Sequence, residues 1–368
     1  MSSGIFEARL RFPLDPEQKR LKDFNGRLPL KLPSIFPRKS SPSPLFSNQV
    51  PPSGVYTGPR LLDETKTISS VHDILIPIQW ICNELVPFLR EKTPSLPIRY
   101  VYQIMFKAYE MFRLSPRSPL VRVDVPHNCK ITICGDVHGQ FLDLINIFEI
   151  NGWPSKSHYY LFNGDFVDRG PFSVETILTL LSLKCAFPSS FFMNRGNHET
   201  STMNKIYGFE AELTKKYSSY PELFGLFQDL FNSLPLCHVI QSEIFVSYHM
   251  IVSHGGIPRE GDITLAQIEK IDRFSPAIQD SRLEMHFTNL TETIVEDLLW
   301  ADPTEGTGIL PSQRGTSVMF GSDITEKFLA TNNLKRIIRS HEYKEEGYAT
   351  MHQGCCVTIF SAPGYMYV

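Results

Sequence analysis

The chain has no two cysteines in C-x-x-C spacing, no long apolar run and little net charge. Its seven cysteines, Cys82, Cys129, Cys134, Cys185, Cys237, Cys355 and Cys356, are odd in number and irregularly placed. That argues against a disulfide framework or a zinc–thiolate site and for a reducing compartment. No stretch of about 18 apolar residues is present, which excludes a membrane-spanning helix from the expectation. The start, Met1-Ser2-Ser3-Gly4, lacks the basic-then-apolar pattern of a secretory leader. A cytoplasmic or nuclear location is therefore expected, and the sequon Asn289-Leu290-Thr291 is read as incidental. A formal net charge of −3 gives no reason to expect nucleic acid or an anionic membrane as partner. No internal repeat is visible.

What is present is a globular composition, 42% hydrophobic and 20% charged, which supports a sizeable core. Residues 1–65 stand apart. Pro29, Pro33, Pro37, Pro42, Pro44, Pro51, Pro52 and Pro59 interrupt any helix there, so this segment is expected to be an extended or disordered tether. A polyproline-type ligand around Pro29–Pro33 is the alternative. Residues 66–368 read as one catalytic domain. Val71–Leu89 is helical in spacing but carries Pro77 and Pro87, which are expected to kink or divide it. Ile98–Phe112 reads as an amphipathic helix burying Tyr100, Val101, Ile104, Met105 and Ala108. Strands are expected at 131–134, 159–163, 191–193, 244–252, 336–339 and 356–360. Helices are expected at 141–149 and 173–183 and within 204–232. Strands alternating with helices predict an α/β fold of layered sheets flanked by helices.

Three strand ends break into polar loops of one character. They are Gly135-Asp136-Val137-His138-Gly139, Gly164-Asp165-Phe166-Val167-Asp168-Arg169-Gly170 and Arg195-Gly196-Asn197-His198-Glu199. Loops at the carboxyl ends of strands are where α/β folds place ligands. Asp136, His138, Asp165 and Asn197 offer oxygen and imidazole donors without thiolates, a mix suited to manganese, iron or catalytic zinc. His254, in Ser253-His254-Gly255-Gly256, and His341, in Ser340-His341-Glu342, add two more donors at strand ends. Such a set can fill two adjacent metals. Each residue alone has a plainer reading: an Asp after a strand is usually a turn former or cap, and His127, His158 and His352 are read as surface or core. Five motifs in order, all at strand ends, favour the metal site.

These loops resemble the signature of the phosphoprotein phosphatase family of serine/threonine phosphatases. His254-Gly255-Gly256, Arg314-Gly315, His341 and Ser361-Ala362-Pro363-Gly364-Tyr365 extend the resemblance from about residue 95 to the C-terminus. Ile206-Tyr207-Gly208-Phe209-Glu210 and Tyr56-Thr57-Gly58-Pro59-Arg60-Leu61 most resemble the protein phosphatase 5 subfamily. The resemblance implies a calcineurin-like metallophosphoesterase fold and two divalent ions, manganese first, with iron or zinc as alternatives. Asp136 and His138 would hold the first metal, Asp165 would bridge, and Asn197, His254 and His341 would complete the second. A metal-bridging hydroxide would attack phosphorus directly. His198, oriented by Asp168, would protonate the leaving oxygen, while Arg169, Asn197, Arg314 and Tyr365 would hold the phosphate. Phosphoproteins are the implied substrates and regulatory subunits the implied partners.

Three departures from the family pattern stand out. No tetratricopeptide repeats precede the catalytic region. Phe274–Ile294 is longer than usual, so the 274–294 stretch is read as a surface excursion. The chain also stops at Val368, where the family continues through a further strand, so it is expected to be shortened there with a strand edge exposed. Two other readings follow: a catalytically impaired, metal-binding regulatory protein, and a metallophosphoesterase with a non-protein substrate.

Overall fold

The computed structural model describes residues 5–8, 71, 74–91, 95–241, 249–275, 278, 289–363 and 365. The proline-rich stretch from 9 to 70, and all but Ile278 of residues 276–288, lie outside the described residues. No helix among the described residues is long and apolar enough to cross a membrane.

The chain begins with strand β1 (Ile5–Ala8) and then a helical segment made of α1 (Ile78–Trp80), a wide π turn (Ile81–Leu85) and α2 (Val86–Arg90). Pro77 and Pro87 act differently from a simple kink. Pro77 is the N-cap of α1, and Pro87 lies in the first turn of α2 just after the π turn. Pro87 has no N–H to donate to the carbonyl four residues back, and the widened turn accommodates that loss. Next come α3 (Ile98–Leu114), β2 (Leu120–Asp124), β3 (Lys130–Cys134), α4 (Phe141–Asn151), β4 (His158–Phe162), α5 (Ser173–Ala186) and β5 (Phe191–Met193). Helices α6 (Ser201–Tyr207), α7 (Phe209–Lys216) and α8 (Glu222–Asn232) complete this half.

The second half holds β6 (Cys237–Gln241), β7 (Met250–Ser253), α9 (Leu265–Glu269), α10 (Leu290–Trp300), β8 (Asp302–Pro303), β9 (Ile309–Pro311), β10 (Val318–Phe320), α11 (Ser322–Asn332), β11 (Arg336–Arg339), β12 (Tyr348–Met351) and β13 (Cys356–Ile359). The single strand expected over 244–252 is instead the end of an antiparallel pair. β6 and β7 meet with Cys237 opposite Ser253, and residues 242–248 between them lie outside the described residues. The apolar stretch at Cys237–Ile240 is separated from α8 only by Ser233-Leu234-Pro235-Leu236, and the expected strands do not include it.

Two sheets face each other. One has the order β1-β3-β4-β5, the other β12-β13-β11-β7-β6-β2, and β8-β10-β9 forms a small third sheet. The two-residue period of the strands explains the layering. Ile131, Ile133, Leu161 and Phe192 of the first sheet pack with Ile240, Val252, Ile338, Val357 and Ile359 of the second. The alternate residues Cys134, Tyr160, Phe162 and Met193 face outward onto the helices from α1 to α8. Val239, Ile251, Ile337 and Cys356 face outward onto α9, α10 and α11. Each fully buried aliphatic or aromatic side chain contributes about 2 kcal/mol to this helix–sheet–sheet–helix stack.

β3, β4 and β5 run parallel, as do β7, β11 and β13. Their carboxyl ends are drawn together at one edge, where a parallel bridge joins Asp136 to Phe360 across the two sheets. That edge is where the polar loops gather.

Candidate metal centre and catalytic cleft

The loops leave their strands at angles that ordinary backbone avoids. His138, Asp165, Asp168, Arg169 and His341 all have positive φ, between 41° and 70°. Each such residue costs on the order of 1 kcal/mol and persists only where its surroundings hold it. Those surroundings are visible. The N–H groups of Val137 and His138 donate to the Asp165 carbonyl at 3.1 and 3.0 Å, and Gly170 N–H donates to the His138 carbonyl at 3.0 Å. The buried Glu199 carboxylate accepts from the N–H groups of Asp165, Phe166 and Gly196, each at 2.8 Å. Gly196 is required by crowding rather than by φ: a Cβ there would collide with Asp165 Oδ1 and its backbone nitrogen.

The six residues read from the sequence as metal donors converge. Asp165 belongs to both groups of side chains close enough to share an ion, one with His138 and His198, the other with His254 and His341. His138 Nε2 lies 3.5 Å from Asp165 Oδ2 and 3.8 Å from Asp136 Oδ2. His254 Nε2 lies 3.3 Å from Asp165 Oδ1 and 2.8 Å from Asn197 Oδ1. The far nitrogens are already engaged: His138 Nδ1 meets the Val167 carbonyl at 3.0 Å, and His254 Nδ1 meets the Asn163 carbonyl at 2.8 Å. Such contacts fix the tautomer that presents Nε2 as a donor. His341 Nε2 is buried and has no hydrogen-bond partner among the described residues. A buried, unsatisfied imidazole nitrogen on a ring grouped with Asp165 and His254 is what a cation site requires, so the donor set fits divalent metal.

The electrostatics agree. Burial, with Asp165 nearby, pushes Asp136 up to about 7. Burial acts the same way on Asp165, yet His254 and His198 outweigh it and hold Asp165 well below the usual carboxylate range. His254 is disfavoured as a cation by burial, but Asp165 and Asp136 raise it to about 9. Burial drives His138 down to about 3 and His341 well below its ordinary value. A centre that binds protons between its carboxylates and imidazoles in this way also favours a metal cation there.

Beneath the donors a polar ladder ties the two sheets. Asn163 donates to the Ser253 carbonyl and to Ser340 Oγ, both at 2.8 Å, and Asn194 donates to Asn163 Oδ1 at 2.7 Å. Beside them, His198 Nδ1 lies 2.9 Å from Asp168 Oδ2. Burial disfavours the imidazolium, but Asp165 and Asp168 raise the His198 pKa above its ordinary value.

Asp136, His138, Asp165, Asn197, His198 and His341 line a cleft of about 1040 Å³, together with Arg169, Arg314 and Tyr365. The Arg169 guanidinium stacks 3.8 Å over the Tyr207 ring. Arg314 Nε donates to Asp302 Oδ2 at 2.6 Å and Nη2 to the His341 carbonyl at 3.1 Å. Tyr365 packs on His138 with ring centroids 5.1 Å apart. His254 stays behind this wall, fully buried. Among the described residues, therefore, every sequence-derived site residue belongs to one constellation.

Sequence reasoning gave no role to Glu199, Asn163, Asp302 or the Arg259–Glu296–Asp297 cluster. Arg259 donates to Asp297 through Nε at 2.9 Å and to Glu296 through Nη2 at 2.7 Å, and both Arg259 and Glu296 line the cleft. Glu199 ends the Arg195-Gly196-Asn197-His198-Glu199 loop, and that position is its local signal. The Arg259 cluster joins residues 37 and 38 positions apart and has no local signature.

A helix–sheet–sheet–helix stack with aspartate, asparagine and histidine donors at converging strand ends defines a metallophosphoesterase. The sequence pattern of the calcineurin-like phosphoesterases matches residues 129–345, and the chain belongs to that family. It is 44% identical to serine/threonine-protein phosphatase 5 of Arabidopsis thaliana, over 87% of this chain and 53% of that one. It is 43% identical to serine/threonine-protein phosphatase 5 of Homo sapiens, over 84% of this chain and 55% of the relative. A solved protein serine/threonine phosphatase from Saccharomyces cerevisiae, described as similar to human phosphatase PP5, matches with a TM-score of 0.65 at 43% identity, covering 76% of this chain and 81% of that one. The chain spans about half the length of the curated relatives it matches.

Proposed function

We propose that the chain is a protein serine/threonine phosphatase that hydrolyses phosphoserine and phosphothreonine at a dinuclear centre, with manganese as the first candidate metal. The observation that carries this reading is the His198–Asp168 pair beside the shared Asp165, in a cleft that also presents Arg169 and Arg314. Asp136, His138 and Asp165 would hold one ion, and Asp165, Asn197, His254 and His341 the other. When bound, the ions supply Lewis acidity at the phosphoryl group and lower the pKa of water.

The chain's own residues do the rest. Arg169 and Arg314 offer planar donors to the phosphoryl oxygens, and each is pre-oriented, one by Tyr207 and one by Asp302. Tyr365 lines the cleft and stacks on His138. His198 gives Nδ1–H to Asp168, which leaves Nε2 to face the cleft. Asp165 and Asp168 raise its pKa, which favours the protonated imidazole that can donate to the departing serine or threonine oxygen.

The test is hydrolysis of a phosphothreonine peptide by the purified 368-residue chain with manganese, beside Asp136→Asn. Turnover that is lost in the variant supports the reading. No turnover by the folded wild-type chain overturns it.

A further inference from the structure

The hairpin that carries Arg314 has a bare outer edge. In the small sheet, β10 lies between β8 and β9, so among the described residues β9 has a strand neighbour on one side alone. All three residues of β9 are exposed, Ile309 by 38% and Leu310 by 43%. Consecutive apolar residues on an open edge strand are an aggregation hazard unless something pairs with them.

The register shows what the edge offers. Ile309, Leu310 and Pro311 face Phe320, Met319 and Val318, and Gly321 N–H donates to the Gly308 carbonyl at 2.8 Å. In an antiparallel pair hydrogen-bonded positions alternate. Leu310 and Met319 are therefore bonded to each other, while Ile309 and Pro311 turn their main-chain groups outward. Pro311 has no N–H, so the outward row is the Ile309 N–H flanked by the carbonyls of Ile309 and Pro311.

The other end of the hairpin is pinned. Glu296 accepts from Thr316 Oγ1 at 2.6 Å and Ser317 N–H at 2.8 Å, Ser317 Oγ donates to Asp297 at 2.8 Å, and Arg314 is held by Asp302. Arg314, Gly315, Thr316 and Ser317 line the catalytic cleft. An edge fixed to the cleft wall in this way is pre-organised, which lowers the ordering cost of pairing with it.

We propose that the β9 edge is a docking strand for the phosphoprotein substrate. An extended segment flanking the phosphoresidue adds to Ile309–Pro311, since the hairpin that carries this edge also carries Arg314, Gly315, Thr316 and Ser317 into the cleft wall. Main-chain bonds supply the pairing, and an apolar, preferably β-branched, side chain packs on Ile309. This inference rests on the phosphatase reading for its substrate, but its readout does not.

The experiment measures binding and turnover separately. A fluorescent 13-residue phosphothreonine peptide with valine and isoleucine flanks is titrated by anisotropy against the manganese-loaded wild-type chain and Ile309→Pro, which removes the one outward N–H. A phosphothreonine tripeptide and 4-nitrophenyl phosphate serve as short probes. The long peptide is expected to bind Ile309→Pro about tenfold more weakly, with KM raised to match and kcat unchanged, while the short probes do not change. Ile309→Asp, and the long peptide N-methylated at alternate flanking amides, should each show the same loss without relying on one variant's folding. Equal binding of the long peptide by wild type and both variants overturns the proposal. So does a chain that dimerises through β9 and becomes monomeric in Ile309→Pro without losing peptide. Specific long-peptide binding with no turnover of any probe overturns the phosphatase reading and leaves the docking strand standing.

Discussion

Asp168 Oδ2 lies 2.9 Å from His198 Nδ1 and takes a second hydrogen bond from Asn204 at 2.9 Å, while its other oxygen takes Phe209 N–H at 3.0 Å. The carboxylate is thus fixed by main chain and side chain before it meets the imidazole. Asp168→Asn should lower kcat on a phosphopeptide about a hundredfold, the usual scale of a general acid's contribution. On 4-nitrophenyl phosphate, whose leaving group needs no proton, the loss should be severalfold at most. Comparing the two substrates checks this, and equal losses on both would mean that His198 does not protonate the leaving oxygen.

Asp302 joins two guanidinium groups. It accepts from Arg314 Nε and from the fully buried Arg339 Nη2, each at 2.6 Å. Removing Asp302 frees Arg314 from its pose in the cleft. Asp302→Asn and Arg314→Ala should each raise KM for a phosphopeptide about tenfold, and the double variant should be little worse than either alone. Full additivity in that cycle would show that Asp302 does not act through Arg314.

Two glycines should respond in opposite ways. Manganese is expected to raise the thermal stability of the wild-type chain, and Gly196→Ala, which drives a methyl group into Asp165, should abolish that gain. Gly225 lies in α8 with nothing within 4 Å of a Cβ built there. Gly225→Ala should therefore stabilise the chain by about 0.5–1 kcal/mol and keep the full manganese response. Thermal melts with and without the metal report both.

Lys184 makes stability depend on pH. It is buried, with Nζ donating to the carbonyls of Pro188 and Phe191 at 2.9 Å, and burial lowers its pKa from 10.5 to about 8. Between those values the unfolded chain binds the proton and the native chain does not, so stability contributed by this group rises with pH from about 8 to 10.5. Urea unfolding of wild type minus Lys184→Met, under reducing conditions, should show that rise, on the order of 2 kcal/mol. A difference that stays constant over the window would contradict it.

The legibility of the site in the sequence has a local cause. Asp136, Asp165 and Asn197 each stand beside glycines at the end of an apolar strand, so residue type and position report the same loop. His254 and His341 follow the same pattern in weaker form. Features built by distant contacts left no such trace. The Arg259 cluster, the Asn163–Asn194 ladder and the Asp302 bridge arise only when the two sheets close. The alternation of β3, β4 and β5 with α4 and α5 was readable from period and length. β6 was not, because its run Cys237–Ile240 is short and lies close behind the helical stretch, and β1 owes its place to pairing with β3 rather than to its own four residues.

In the proposed dinuclear centre one carboxylate, Asp165, serves both metal sites. The direct measurement is the manganese content of the 368-residue chain at saturation, by equilibrium dialysis and elemental analysis, beside Asp165→Asn. Two ions per wild-type chain and fewer than one in the variant are expected, because both sites lose a donor together. One ion in the wild-type chain, or two retained without Asp165, would contradict that expectation.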